Sequence, residues 1–384
     1  MLNGNGKVIY FMLFAVGVFF VPLWITLFLN ATIISVVHKK YVHPLVFIQV
    51  ILSSVLISTM DITGDLGNYE YLYLNIYSPN VVYEFYSEPL IIYIFKFFNI
   101  LGFDFKTVIF IISLFVNLSL YFALLRNRNI DCLRFLGVLL IYPSYMQTQL
   151  YLFRQSISVL LFLIFISYRY YYAKFIVFIL SVISHSISLF YFLIVFFKKF
   201  SKIDNINSKY IISVIVFSVF FPLSDDFISS FLNNFSGLSY ALNRKLSFFL
   251  NDDTILSTLS LYSTVFLPLH FIAAYTLIGN KRIILKPHSF IFFSLYVVAL
   301  FLRNYSLLPT RLAYPIFWLS IIYCPLVLHE QKIKLTTSIK FVFLCFSIFS
   351  LFKFLYINDF GINNLHFNQH ELLNLNVFNY LQER

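Results

Sequence analysis

Val108–Leu125 contains no Asp, Glu, Lys, Arg or His, and it is one of a series of uniformly apolar blocks separated by short clusters of charge. Such blocks approach or exceed the ~18 residues of a membrane helix. Lipid offers no partner to backbone N–H and C=O groups, so a spanning segment must be a helix or a strand of a closed barrel. Barrel strands alternate apolar and polar residues, and these blocks do not. The chain therefore reads as all-α, a polytopic transmembrane helical bundle. Only 11% of its 384 residues are charged, against roughly 25% in a soluble domain.

Spans are expected at about 8–37, 44–60, 107–125, 133–147, 154–168, 209–222, 255–278, 288–302, 308–328 and 338–357. Two shorter apolar stretches, 89–101 and 173–197, are candidates for re-entrant or interfacial helices, which gives about 10–12 spans in all. The first block follows directly on Met1–Lys7 and is longer than a signal-peptide core, so a retained anchor is expected. No repeat or linker divides residues 1–357, which read as one membrane domain followed by a tail, 358–384. Cys132, Cys324 and Cys345 lack metal-ligand spacing and are expected to be packing residues rather than a disulfide framework.

Charge orients the loops. The clusters at His38–Lys40, Arg126–Arg134, Lys198–Lys209 and Lys281–Lys286 are basic and read as cytoplasmic. The loop 61–88 carries Asp61, Asp65, Glu70, Glu84 and Glu88 with no basic residue, and the loop 223–255 is also net acidic; both read as external. Pro89–Leu101 is shorter than the ~20 residues of a comfortable crossing. Taking it as an external-side dipping helix places Arg126–Arg134 inside and Tyr142–Arg154 outside. Basic residues flank 173–197 on both sides, so two half-length helices meeting near His185 are expected there. The net charge of +11 follows from this positive-inside pattern, and no nucleic acid is implied.

Ionisable groups inside or at the external rim of apolar blocks are costly in hydrocarbon and usually face a cavity. Asp65, in Gly64-Asp65-Leu66-Gly67-Asn68-Tyr69, is either a general base or sugar ligand, with Tyr69 beside it, or part of a solvated helix-capping turn. Glu88, before Pro89, is either catalytic or an acid at a helix N-terminus. Arg154 and Gln155 open a span on the external side. A guanidinium fork matches phosphate geometry, and the alternative is snorkelling to headgroups. His185, flanked by Ser184 and Ser186, is either a packing residue or a polar group facing a cavity. Arg303 and Arg311, the latter three residues before Tyr314, place two more cations where the charge rule disfavours them. Together these groups suggest an external vestibule with acids on one side and arginines on another, suited to transfer from a phosphate-type leaving group. No GxxxxGK[ST], GxSxG, HExxH or CxxC pattern is present, which argues against nucleotide hydrolysis, serine hydrolysis and zinc chemistry.

Gly64-Asp65…Tyr69, Ser87-Glu88-Pro89, Phe153-Arg154-Gln155, Ser184-His185-Ser186 and Arg311…Tyr314 follow in this order along a chain with 50 Phe and 28 Tyr. This resembles the EpsG-like group of Wzy-type polysaccharide polymerases of bacterial O-antigen and capsule synthesis, from about residue 8 to 357. The resemblance implies a multi-pass enzyme of the bacterial inner membrane. It would join undecaprenyl-diphosphate-linked oligosaccharide repeat units at the periplasmic face, with membrane lipid and a chain-length regulator as partners. The architecture is also similar to that of C-type glycosyltransferases. It implies that Arg154 and Arg311, with Arg303 as a weaker candidate, neutralise the departing diphosphate. Asp65 or Glu88 would take the acceptor proton, with His185 as the substitute base. Gln155, Tyr69 and Tyr314 would orient sugars. No metal or cofactor is assigned. A ligase would share the donor but usually carries a larger late external domain. A flippase should show two related halves and charges along a central path. An acyltransferase would need a paired-His or His-Asp arrangement that a single His185 does not supply.

Overall fold

A computed structural model of the chain describes residues 21–59, 62, 65–83, 89–126, 129–150, 153–167, 171–185, 188–201, 203–222, 265–278, 280–302 and 307–356. Residues 8–20 of the first expected span, Asp61, Glu84, Glu88, Ser186, the whole loop 223–255, residues 255–264 of the span that follows it, Arg303 and the tail 358–384 lie outside these residues. In chain order the helices are α1 (Leu23–Val36), α2 (Val42–Ser58), α3 (Asp65–Leu74), α4 (Pro79–Tyr83), α5 (Leu90–Ile100), α6 (Phe105–Arg126), α7 (Ile130–Leu139) and α8 (Pro143–Leu150). They continue with α9 (Phe153–Ser167), α10 (Tyr171–Ser184), α11 (Ser188–Phe200), α12 (Ser208–Phe220), α13 (Phe266–Ile278), α14 (Pro287–Phe301), α15 (Leu307–Glu330) and α16 (Thr337–Tyr356). The helical reading holds, with one addition: β1 (Asn205–Asn207) and β2 (Arg282–Ile284) form a short antiparallel pair. By length and composition, three helices among the described residues could cross a bilayer alone: Lys39–Ser58, Phe105–Arg126 and Ala313–Glu330. The other apolar helices are shorter, and a 14-residue helix such as α1 is only about 21 Å long.

Local chemistry sets the helix ends. Asp104 precedes α6 and accepts from the Thr107 backbone N–H at 2.8 Å and its hydroxyl at 2.6 Å. Asn129 caps α7 by accepting from the N–H groups of Asp131 and Cys132. Helix α5 is stopped by Gly102, whose φ of +74° suits a residue without Cβ. The Gly102 N–H donates to Asn99 O and the Phe103 N–H to Phe98 O, the paired bonds of a Schellman ending. The 11 residues of α5 thus span about 16 Å, as a dipping helix requires. The expected span 133–147 is corrected: it is two helices, α7 and α8. Pro143 has no N–H to continue the ladder and restricts Tyr142 before it, yet it suits the first position of a new helix.

Two compact units are formed. The first comprises the described residues of Met1–Ser78, Ile94–Phe153 and Ser347–Arg384. Its interior is held by neutral polar side chains within apolar helices. Asn30 of α1 donates to Gln49 Oε1 of α2 at 2.7 Å and to Leu45 O at 3.0 Å, while Gln49 donates back to Leu27 O at 2.9 Å. A second buried cluster centres on Asn117 of α6. Its Oδ1 accepts from Tyr145 Oη at 2.6 Å and Gln149 Nε2 at 2.7 Å, and its Nδ2 donates to Ser54 at 3.0 Å. Gln149 Oε1 in turn accepts from Ser113 at 2.6 Å. Such bonds join helices where apolar burial gives no net drive. Arg134 of α7 closes the end of α1, donating to Ser35 O at 2.7 Å and Val37 O at 2.8 Å.

Gly137 of α7 allows a close approach to α1, because an added Cβ would lie 3.0 Å from Ile34 Cδ1 and 3.2 Å from its Cγ2. Gly137→Ala should be absorbed by a rotamer change at Ile34. Gly137→Leu should overpack the contact by about 1–3 kcal/mol, read as a lower melting temperature of the detergent-solubilised protein.

The second unit comprises the described residues of Pro79–Tyr93 and Arg154–Phe346. Here α10 and α11 are an antiparallel hairpin. Phe178 and Phe192, separated by the break after His185, meet with ring centroids 4.8 Å apart. In one continuous helix they would be about 21 Å apart along the axis. Phe162 and Phe165 of α9 pack on the same Phe192 ring. At another end of this unit, Glu330 at the close of α15 caps α14. It accepts from the Ser289 N–H at 2.9 Å and Ser289 Oγ at 2.6 Å, with His288 Nδ1 at 2.9 Å. Gln331 engages both the N–H and the C=O of Ile284, at 2.9 and 2.7 Å, so its amide acts as a third rung beside β2. Helix α15 carries Pro315 and Pro325 without ending; it is densely packed, and neighbouring groups in membrane bundles offset the bonds that proline removes.

Candidate functional site

The α10–α11 hairpin packs on the first turns of α9 through serines. Ser184 Oγ donates to the Arg154 carbonyl at 2.8 Å, and Ser181 Oγ donates to the Ser158 carbonyl at 3.0 Å. Serines three apart on α10 therefore meet carbonyls four apart on α9, a small-residue seam that lets backbones approach closely. Within this seam Gln155 Nε2 donates to Tyr191 Oη at 3.3 Å. Gln155, Ser184 and Tyr191 are buried, and His185 is only 8% exposed. Arg154, in the first turn of α9, is half-buried. A cation at a helix N-terminus opposes the helix dipole, so both attract an anion.

The sequence-derived candidates divide as follows. Arg154, Gln155 and His185 are brought together at this seam, with His185 adjoining the residue that grips the Arg154 peptide. Tyr314 is buried in α15, three residues after Arg311 in the same helix. Asp65 and Tyr69 belong to the first unit, where Asp65 is the first residue of α3. The Tyr69 ring is buried against Phe95 and Phe153, with centroids 6.5 and 5.8 Å away. Glu88 and Arg303 lie outside the described residues. Among the described residues no group of three or more His, Cys, Asp or Glu could hold a metal ion.

Sequence reasoning missed two neighbours in the seam. Tyr191 is fully buried and bonded to Gln155. Ser188, on the same face of α11 one turn earlier, is fully buried, and among the described residues its hydroxyl has no hydrogen-bond partner. A buried hydroxyl without a partner costs roughly 1–3 kcal/mol, so this Oγ would gain from any polar group that reaches it. Nothing in an apolar run rich in Ser and Tyr marks these two beforehand. His270 was likewise unmarked; its Nδ1 lies 2.5 Å from Tyr296 Oη, joining α13 to α14.

Searches of curated proteins and of solved structures returned no match. The EpsG family model matches residues 44–368, a stretch that includes every helix from Pro44 of α2 onward and all the candidate residues named above. The helical, apolar architecture and this match over most of the chain agree, and the protein belongs to the EpsG family.

Proposed function

We propose that the protein is a polysaccharide polymerase acting on undecaprenyl-diphosphate-linked repeat units at the periplasmic face of the bacterial inner membrane. Family membership supports a polysaccharide-polymerase-like function in a membrane. The observation that carries the finer reading is the convergence of Arg154, Gln155, His185 and Tyr191 on one buried seam. In the proposed reaction an acceptor hydroxyl of a new lipid-linked unit attacks the anomeric carbon of the growing chain. The bond from that carbon to the diphosphate oxygen breaks, and its electron pair leaves with the lipid diphosphate. The acceptor proton passes to Asp65 or Glu88, with His185 as the substitute base. Arg154 and Arg311, with Arg303 in support, stabilise the charge that develops on the leaving group, often the largest catalytic contribution. Gln155, Tyr69 and Tyr314 orient sugars; since both tyrosines are buried, only their hydroxyl ends would do so.

The test is complementation of a strain lacking the protein. Wild-type chain should restore surface polysaccharide ladders, and Arg311→Ala should leave single repeat units. Normal ladder length from Arg311→Ala at normal expression would count against the diphosphate role. Ser188 extends the reading, because a sugar hydroxyl or a bound water would satisfy its orphaned Oγ. Ser188→Ala should leave the melting temperature unchanged or raised, since no protein bond is lost, while cutting polymer output by about 5–30-fold if a substrate hydrogen bond disappears.

A further inference from the structure

Three loops far apart in sequence are tied into one cationic collar in the second unit. Strands β1 and β2 pair in register from Asn205↔Ile284 to Asn207↔Arg282. The Leu285 N–H donates to Asp204 O at 2.8 Å and the Ser208 N–H to Lys281 O at 3.1 Å, extending the ladder at both ends. Gln331 adds the loop after α15 through its two bonds to Ile284. The clamp gathers exposed Lys199, Lys209, Lys281, Arg282 and Lys286. Lys332 and Lys334 follow Gln331 and are exposed as well. Among the described residues of these loops the carboxylates are Asp204 and Glu330. Asp204 lies 3.6 Å from Lys198, and Glu330 is turned onto His288 and Ser289. The exposed cations are therefore not neutralised within the collar.

Large apolar side chains adjoin these cations on the same elements. Phe197 and Phe200 flank Lys199, and Tyr210 follows Lys209; all three are more than half exposed. A free phosphate or an acidic peptide gains nothing from exposed phenylalanines beside its charges. A lipid leaflet does, because aromatic rings seat at the headgroup level while basic side chains reach the phosphates.

We propose that this clamped collar is a binding site for anionic phospholipid headgroups, independent of the polymerase reading. The experiment uses the full chain in nanodiscs of phosphatidylcholine with a minority of phosphatidylglycerol, and measures the lipids retained by native mass spectrometry. Wild-type protein should retain phosphatidylglycerol over phosphatidylcholine, and the preference should fall as salt is raised. Each charge removed in Lys209→Gln, Lys281→Gln and Arg282→Gln should lower that preference about fivefold. Lys106→Gln, on an exposed cation of the other unit, should leave it unchanged. Melting curves check that the variants remain folded. Unchanged phosphatidylglycerol preference in the folded triple variant would overturn the proposal. So would equal stabilisation of the solubilised wild-type protein by inorganic phosphate or by polyglutamate.

Discussion

Arg154→Ala is expected to reduce polymer formation at least about 100-fold, the scale seen when one donor to a developing anion is removed. The variant should fold normally. The anchor between α9 and the hairpin is the Arg154 carbonyl, which accepts from Ser184 at 2.8 Å, and a side-chain change leaves that bond in place. Arg154→Lys should restore only part of the activity, because an ammonium keeps the charge but not the planar fork that grips two phosphate oxygens. The measurements are ladder length in the complemented strain and melting temperature of the purified protein. A full ladder from Arg154→Ala at normal expression would remove this residue from the reaction.

Asn117→Leu should loosen the interior of the first unit. Asn117 accepts from Tyr145 and Gln149 and donates to Ser54, so one substitution breaks three buried bonds between α2, α6 and α8. In water each buried group left alone costs about 1–3 kcal/mol. In a bilayer the unfolded chain also finds partners, and the average falls to ~0.6 kcal/mol per bond. The membrane value governs here, giving about 2 kcal/mol. Exchanging Gln149 for Leu as well should cost less than the sum of the two single changes, because each single variant already strands the other's amide. Strict additivity in the melting data would show that the two amides are not coupled.

Charge and length made much of the fold legible. Basic residues at both ends of 173–197 pointed to two helices meeting near His185, and the Phe178–Phe192 contact bears that out. The brevity of 89–101 pointed to a short helix, and Gly102 ends it. Hydropathy alone misread 133–147, where the backbone rule for Pro143 outweighed an apolar average. The reverse happened at Pro315 and Pro325, where dense packing outweighed the same rule. For the site, the search for charges found Arg154 and His185 but passed over Ser188 and Tyr191. Neutral hydroxyls and amides in apolar runs have no sequence contrast until a fold pairs them, and the same holds for Asn30, Gln49 and Asn117. The pairing of residues 205–207 with 282–284 was invisible for another reason: a three-residue strand carries no periodicity to read.

The turn at His185 also fixes parity. In the proposed membrane topology, a segment that doubles back returns to the compartment it left, so Tyr171–Phe200 adds an even number to the tally of crossings. Fused into a single rod, the same residues would be long enough to pierce the bilayer once, and every later loop would exchange compartments. In the proposed topology the turn at His185 thus sets the side on which the second half of the chain emerges.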